Sequence, residues 1–155
     1  MNARAPDGER LARFVESWWA GFRPSSGHPM SWAGFYVDMP GKPDGERLEL
    51  GPRLPKPACS PIGMHGACGQ SLSAARSLVV VDVADLGAGY VACDPRDRSE
   101  LVVPCLREDG SAWGVFDVDS HSVAAFSPED ALACERALVA AGLSAPHSRP
   151  PRMSR

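Results

Sequence analysis

Three of the five cysteines, Cys59, Cys68 and Cys93, fall inside one stretch of forty-five residues, 56–100. Each stands beside glycine, alanine, serine or aspartate, in a context that reads as a loop or the mouth of a helix. A free cysteine ordinarily packs as a small buried hydrophobe, and that is the default for any one of them. Three in turn-like settings point instead to thiol chemistry. A redox site needs one thiolate of lowered pKa and a second cysteine able to reach it. Cys68 stands at a predicted helix start, where the dipole favours the thiolate, and Cys93 lies in a long loop near Arg96 and Arg98, so either qualifies as the nucleophile. Zinc is the other use of such cysteines, but structural zinc calls for ligand pairs with typically about two to four residues between them. Eight residues separate Cys59 from Cys68, which weakens that reading.

Carboxylates form the second group. Glu100 opens the apolar run ELVVPCL, and Asp117 and Asp119 in FDVDS are one residue apart, so on a strand both project from the same face. A lone aspartate at a strand edge is ordinarily only solvated. Two together suffer like-charge proximity, which raises one pKa and prepares that group to donate a proton; such a cluster also suits an ammonium group. Trp32 and Tyr36, four apart, share a strand face as well. Such aromatics are most often core, and they can also wall a pocket for an apolar or sulfur-bearing side chain.

The elements that must position these groups follow from periodicity. In residues 8–22, Leu11, Phe14, Val15, Trp18, Trp19 and Phe22 recur at helical spacing. Residues 31–38, SWAGFYVD, read as a strand in which Gly34 permits a close backbone approach. Asp44-Gly45 is a hairpin signal leading into the returning strand ERLELGP. A proline- and glycine-rich segment, 53–66, precedes a second helix from about Gly66, then the buried strand LVVVDV and a loop, 85–98, long enough to serve as a lid or binding segment. ELVVPCL and AWGVFDVDS make a second hairpin across Asp109-Gly110. Ser127-Pro128-Glu129 opens a third helix. The order predicts an α+β domain with a largely antiparallel sheet flanked by helices, a single domain over residues 1–145, and a disordered tail over 146–155.

At 155 residues the chain can bury about two thirds of its unfolded surface without staples. A formal charge of −3 and the lack of long Lys/Arg runs argue against nucleic acid and anionic membrane as partners. No apolar run approaches the roughly 20 residues that span a bilayer, and the first residues lack the apolar core of a secretory signal. The expected location is the cytoplasm, where thiols stay reduced unless they bind metal or cycle catalytically.

The ordered set WAGFY (32–36), LGP (50–52), KPAC (56–59), GACG (66–69), VACD (91–94), SE (99–100), the VVP that follows it, and GVFDVDS (114–120) resembles the motifs of the free methionine-(R)-sulfoxide reductases, enzymes of the GAF fold. The likeness runs from about residue 31 to about residue 130. It implies a central six-stranded antiparallel sheet flanked by helices, commonly a homodimer, and a pocket that admits the free amino acid but not a peptide-bound residue. Its three cysteines map onto Cys59, Cys68 and Cys93, its carboxylates onto Glu100, Asp117 and Asp119, and its aromatic wall onto Trp32 and Tyr36. Cys105 and Cys134 have no counterpart and are expected to pack. The chain departs from the family in a shorter segment between Cys59 and Cys68, which reads Gly63-Met64-His65-Gly66 before the second cysteine, in Tyr90 where histidine is usual, and in a short N-terminal region.

The resemblance implies reduction of free L-methionine-(R)-sulfoxide by a thiolate, with a protonated carboxyl donating to the departing oxygen. A cysteine sulfenic acid then condenses to an intramolecular disulfide, which thioredoxin or a similar dithiol reopens, with no metal or organic cofactor. Cys93, in the one loop long enough to close over a pocket beside Glu100, is taken as nucleophile. Cys59 is taken as resolving residue and Cys68 as alternative nucleophile or second resolver. Glu100 and Asp119 are assigned to the sulfoxide oxygen, and Asp117 mainly to the amino group. The rival expectation is a non-catalytic GAF module that binds a small ligand as a sensor; a structural zinc protein is a further one.

Overall fold

A computed structural model of the chain describes residues 5–87, 90 and 93–154. Helix α1, Gly8–Gly21, begins where Asp7 accepts a hydrogen bond from the Arg10 amide and buries Leu11, Phe14, Val15 and Trp18. Strands β1, Trp32–Asp38, and β2, Leu48–Leu54, pair antiparallel. Their connection is wider than the tight turn expected at Asp44-Gly45. It is a loop containing a 3-10 turn, Asp44–Glu46, closed by the Arg47–Asp38 ion pair at 2.8 Å. Helix α2, Ala67–Ala74, leads to β3, Leu78–Val80. Strands β4, Ser99–Leu106, and β5, Ala112–Ser120, form the second hairpin, and helix α3, Pro128–Ala140, starts on a capping box made by Ser127 and Asp130.

The sheet order is β2-β1-β5-β4-β3-β6, where β6 is Arg152–Ser154. Every other pairing is antiparallel, but β6 runs parallel to β3, so the sheet is mixed and the purely antiparallel expectation is corrected. The same strand lies in the tail expected to be disordered. Pro146, Pro150 and Pro151 favour an extended chain, and the buried strand β3 leaves one edge of backbone groups to be paired. The tail is fastened there by His147 Nε2 to the Pro104 carbonyl at 2.7 Å, Arg76 Nε to the Pro150 carbonyl at 2.6 Å, and the Arg152 amide to the Ser77 carbonyl at 2.8 Å.

Side-chain alternation divides the core between the two sheet faces. Helices α1 and α3 cover one face, where Phe14, Phe35 and Phe116 meet with ring centroids 4.9–5.7 Å apart. Cys105 and Cys134 are packed into this layer, both fully buried. Helix α2 lies over the other face, against Leu78, Val102 and Val115. Beside α2 on that face the polar groups gather, beneath the segments that carry Cys59 and Cys93. Among the described residues no helix is long and apolar enough to cross a membrane.

Candidate active site

Register across three strands assembles the site. Trp32 on β1 pairs with Asp119 on β5, which pairs with Glu100 on β4; one row on, Gly34 faces Asp117. Because period-2 alternation sends residues 115, 117 and 119 to the α2 side, both aspartates and Glu100 project into the same space. Gly34 keeps its own row open. A Cβ there would stand 2.6 Å from both the Trp32 ring and Arg53 Cβ, so the missing side chain leaves room for the indole. Gly69 does the same for α2, since a Cβ would collide with the Met64 backbone. The close approach it permits turns Cys68, in the first turn of α2, toward the carboxylates.

Glu100, Asp117 and Asp119 are only 4%, 6% and 8% exposed. Burial is the main cause that pushes all three carboxyls above the usual carboxylate range. For Asp117 the charges of Asp119 and Glu100 add to it, and for Asp119 those of Glu100 and Asp97. Tyr90 donates to Glu100 Oε2 at 3.0 Å, and the Cys68 thiol points at Glu100 Oε1 at 4.0 Å. Asp117 Oδ1 is buried with no hydrogen-bond partner among the described residues. A buried acceptor left in that state costs free energy, and a ligand donor in the cavity would satisfy it.

The expectation that the helix dipole lowers the Cys68 pKa is corrected. Cys68 is 5% exposed, and burial followed by the charges of Asp117 and Glu100 pushes its thiol well above the ordinary value. One short helix terminus is outweighed by desolvation and nearby negative charge. Cys59 and Cys93 are instead exposed and joined in a disulfide with a Cα–Cα distance of 5.7 Å across 34 residues of sequence. In the loop 85–98 expected as a lid, residues 88, 89, 91 and 92 lie outside the described residues, and with them half of the VACD motif.

Trp32 and Tyr36 wall the space and also use their polar ends, a feature the sequence reading missed. Trp32 Nε1 donates to the Lys56 carbonyl and the Tyr36 hydroxyl to the Cys59 carbonyl, each at 2.8 Å. Burial, then the charge of Asp117, pushes the Tyr36 phenol far up, so it remains a donor. The segment that carries Cys59 is thereby pinned to β1 at two points. Also missed was Asp94, which accepts from Arg96 Nε at 3.0 Å and from Lys56 Nζ at 2.9 Å and lies 3.4 Å from His121 Nε2. The Arg96 bonds are the largest cause holding its carboxyl well below the usual range, and Lys56 adds to them. Its sequence signals were its place directly after Cys93 and its position as the last residue of the VACD motif.

All eight residues singled out from the sequence, Trp32, Tyr36, Cys59, Cys68, Cys93, Glu100, Asp117 and Asp119, line one cavity of about 880 Å³. Its floor is acidic and protonatable, its wall aromatic, and its mouth carries the cysteine pair. Among the described residues two donor sets are close enough to hold a metal ion, Cys68 with Glu100 and Asp117, and Asp94 with Asp97 and His121. Cys59, paired with Cys93, is not available to form a zinc site with Cys68. Chemically the arrangement suits a small cationic or zwitterionic molecule whose reacting atom is presented to thiols at the mouth while the floor exchanges protons with it.

No family model matches the chain. It is similar to a free methionine-R-sulfoxide reductase of Neisseria meningitidis whose structure was solved in complex with its substrate. Identity there is 32%, the TM-score 0.72, and the match covers 86% of this chain and 74% of that one. A putative GAF sensor protein of Burkholderia vietnamiensis is 34% identical with a TM-score of 0.67, over 89% of this chain and 76% of that one. The free methionine-R-sulfoxide reductase of Saccharomyces cerevisiae is 37% identical over 102 residues, 65% of this chain. The chain spans about half the length of that relative, 55%. Fold and site together define a GAF-like α+β domain whose pocket joins cysteines to buried carboxylates. The chain belongs to the free methionine-R-sulfoxide reductase family.

Proposed function

We propose that this protein reduces free L-methionine-(R)-sulfoxide to L-methionine with its own cysteines. The observation that carries the reading is the juxtaposition of an exposed Cys59–Cys93 pair with a floor of three buried carboxyls of raised pKa in one cavity. The Cys93 thiolate attacks the sulfoxide sulfur, the Glu100 and Asp119 carboxyls together supply one net proton to the oxygen, and that oxygen passes to Cys93 as hydroxyl. Methionine leaves with its sulfur reduced, and Cys93 is oxidised to the sulfenic acid. The Cys59 thiol then attacks that sulfur, a disulfide forms and water departs. Asp117, whose Oδ1 has no hydrogen-bond partner among the described residues, receives the substrate ammonium group, while Trp32 and Tyr36 enclose the methyl-sulfinyl end. The cycle consumes two thiols and calls for no metal or organic cofactor. Thioredoxin or a similar dithiol reopens the exposed disulfide, in a reducing compartment such as the cytoplasm, and the working form is a homodimer, as the family resemblance implies.

Likeness to the Burkholderia protein favours a second reading, a module that only binds its ligand. Single-turnover kinetics with each diastereomer of free methionine sulfoxide and no external reductant separate the two. Wild type should release about one equivalent of methionine per chain from the R form. Cys93→Ser should release none, and Cys59→Ser should release about one equivalent and then hold a trappable sulfenic acid. Release by Cys93→Ser together with its absence from Cys68→Ser moves the nucleophile's role to Cys68. No release from either diastereomer by wild type sinks the enzymatic reading.

A further inference from the structure

Closing a disulfide between residues 34 apart requires the two segments to meet, and each is held differently. The Cys59 segment is pinned to β1 through the Lys56 and Cys59 carbonyls. Lys56 Nζ then reaches across to Asp94 Oδ2 at 2.9 Å, from three residues before Cys59 to the residue directly after Cys93. Asp94 is itself set firmly. Its Oδ1 accepts from the Arg96 amide and Nε, and its Oδ2 from Arg96 Nη2, all at 3.0 Å, which folds the turn after Cys93 around the carboxylate. His121, just beyond β5, flanks the same oxygen at 3.4 Å. Among the described residues the Lys56–Asp94 pair is the ionic link between the two cysteine segments.

We propose that Lys56 and Asp94 form a latch that docks the Cys93 turn onto the pinned Cys59 segment, so that this pair sets the rate of disulfide closure and not of methionine release. The proposal rests on the roles given above to Cys93 and Cys59. The step it governs is attack of the Cys59 thiol on the Cys93 sulfenic acid, in which an S–S bond forms, the S–O bond breaks, and hydroxide leaves as water with the thiol proton. Lys56 and Asp94 are positioning residues: neither touches the reacting sulfurs, and the pair shortens the search of one segment for the other. The link lies at the surface, with the Lys56 side chain 47% and the Asp94 side chain 14% exposed, so its effect is modest and sensitive to salt.

The test is rapid-quench single turnover on the reduced protein with free L-methionine-(R)-sulfoxide, following methionine release and thiol loss separately in wild type, Lys56→Met and Lys56→Arg. Lys56→Met keeps the apolar stem and removes the charge. It should leave methionine release unchanged, slow closure about two- to fivefold, as loss of an exposed ion pair would, and raise the yield of trapped Cys93 sulfenic acid. Lys56→Arg should restore closure. About 1 M salt, where the screening length falls to about 3 Å, should slow wild-type closure toward the Lys56→Met rate and leave Lys56→Met itself unaltered. Equal closure rates in wild type and Lys56→Met would overturn the latch, and so would methionine release slowed in parallel, which would make Lys56 a substrate ligand. If wild type releases methionine without losing the Cys59 and Cys93 thiols, the failure lies in the cysteine assignment beneath the latch.

Discussion

Replacing Asp117 by asparagine should make the protein more stable at neutral pH while damaging its substrate site. The carboxyl is 6% exposed, has Asp119 and Glu100 as neighbours, and leaves Oδ1 without a hydrogen-bond partner among the described residues. Holding a proton that the unfolded carboxyl would release costs free energy at neutral pH, and in a chain of this size each kcal/mol moves Tm by about 2–4 °C. Asp117→Asn keeps the shape and needs no proton at neutral pH, so each unit by which the folded carboxyl is displaced should return about 1.4 kcal/mol, a Tm rise of about 3–6 °C per unit near pH 7. The sign of the pH dependence follows from proton linkage. Folded Asp117 holds its proton where the unfolded carboxyl, at its ordinary value of 3.8, has released it. Wild-type stability is therefore full below that value and declines as pH rises from it through the raised folded pKa, each unit of displacement costing about 1.4 kcal/mol. The advantage of Asp117→Asn should accordingly shrink toward about pH 4 and grow toward neutrality. Calorimetric Tm values for both proteins across that range, with the Cys59–Cys93 bond in the same redox state, are the measurement. A variant less stable than wild type at neutral pH, or an offset that does not change with pH, refutes the argument. In kinetics the same substitution should raise KM more than it lowers kcat, as expected of a group that holds the ammonium.

Glu100→Gln should slow methionine release by about two to four orders of magnitude if Glu100 delivers the proton; a wild-type rate, read in the same single-turnover assay, would leave Glu100 as a buried structural acid. Trp32→Ala should lower kcat/KM far more than it lowers Tm, and because the indole N–H also holds the Lys56 carbonyl it should slow disulfide closure too. A collapse of Tm with normal kinetics in the surviving folded fraction would place Trp32 in the core alone.

What the sequence determined by itself is whatever depends on local period and local backbone chemistry. The buried face of α1, the N-cap at Ser127, the two hairpins and the shared face of Asp117 and Asp119 are written in the spacing of a few neighbouring residues, because a strand repeats every two residues and a helix about every 3.6. Gly34 also stood out, since nothing with a side chain fits a close backbone approach. What period cannot carry is the company a residue keeps after long-range pairing. The row Trp32, Asp119, Glu100 exists because β1 and β4 both pair with β5 in one register, and Asp94 became a junction because Lys56, 38 residues away, lies across from it. Tertiary burial reversed the reading of Cys68: a helix start favours a thiolate in water, yet here the thiol is out of solvent and beside carboxylates, where desolvation and like charge dominate. It also drew residues 152–154 into the sheet, since a proline-rich tail shows no strand pattern of its own and pairs because β3, some 74 residues earlier, leaves an edge to be satisfied.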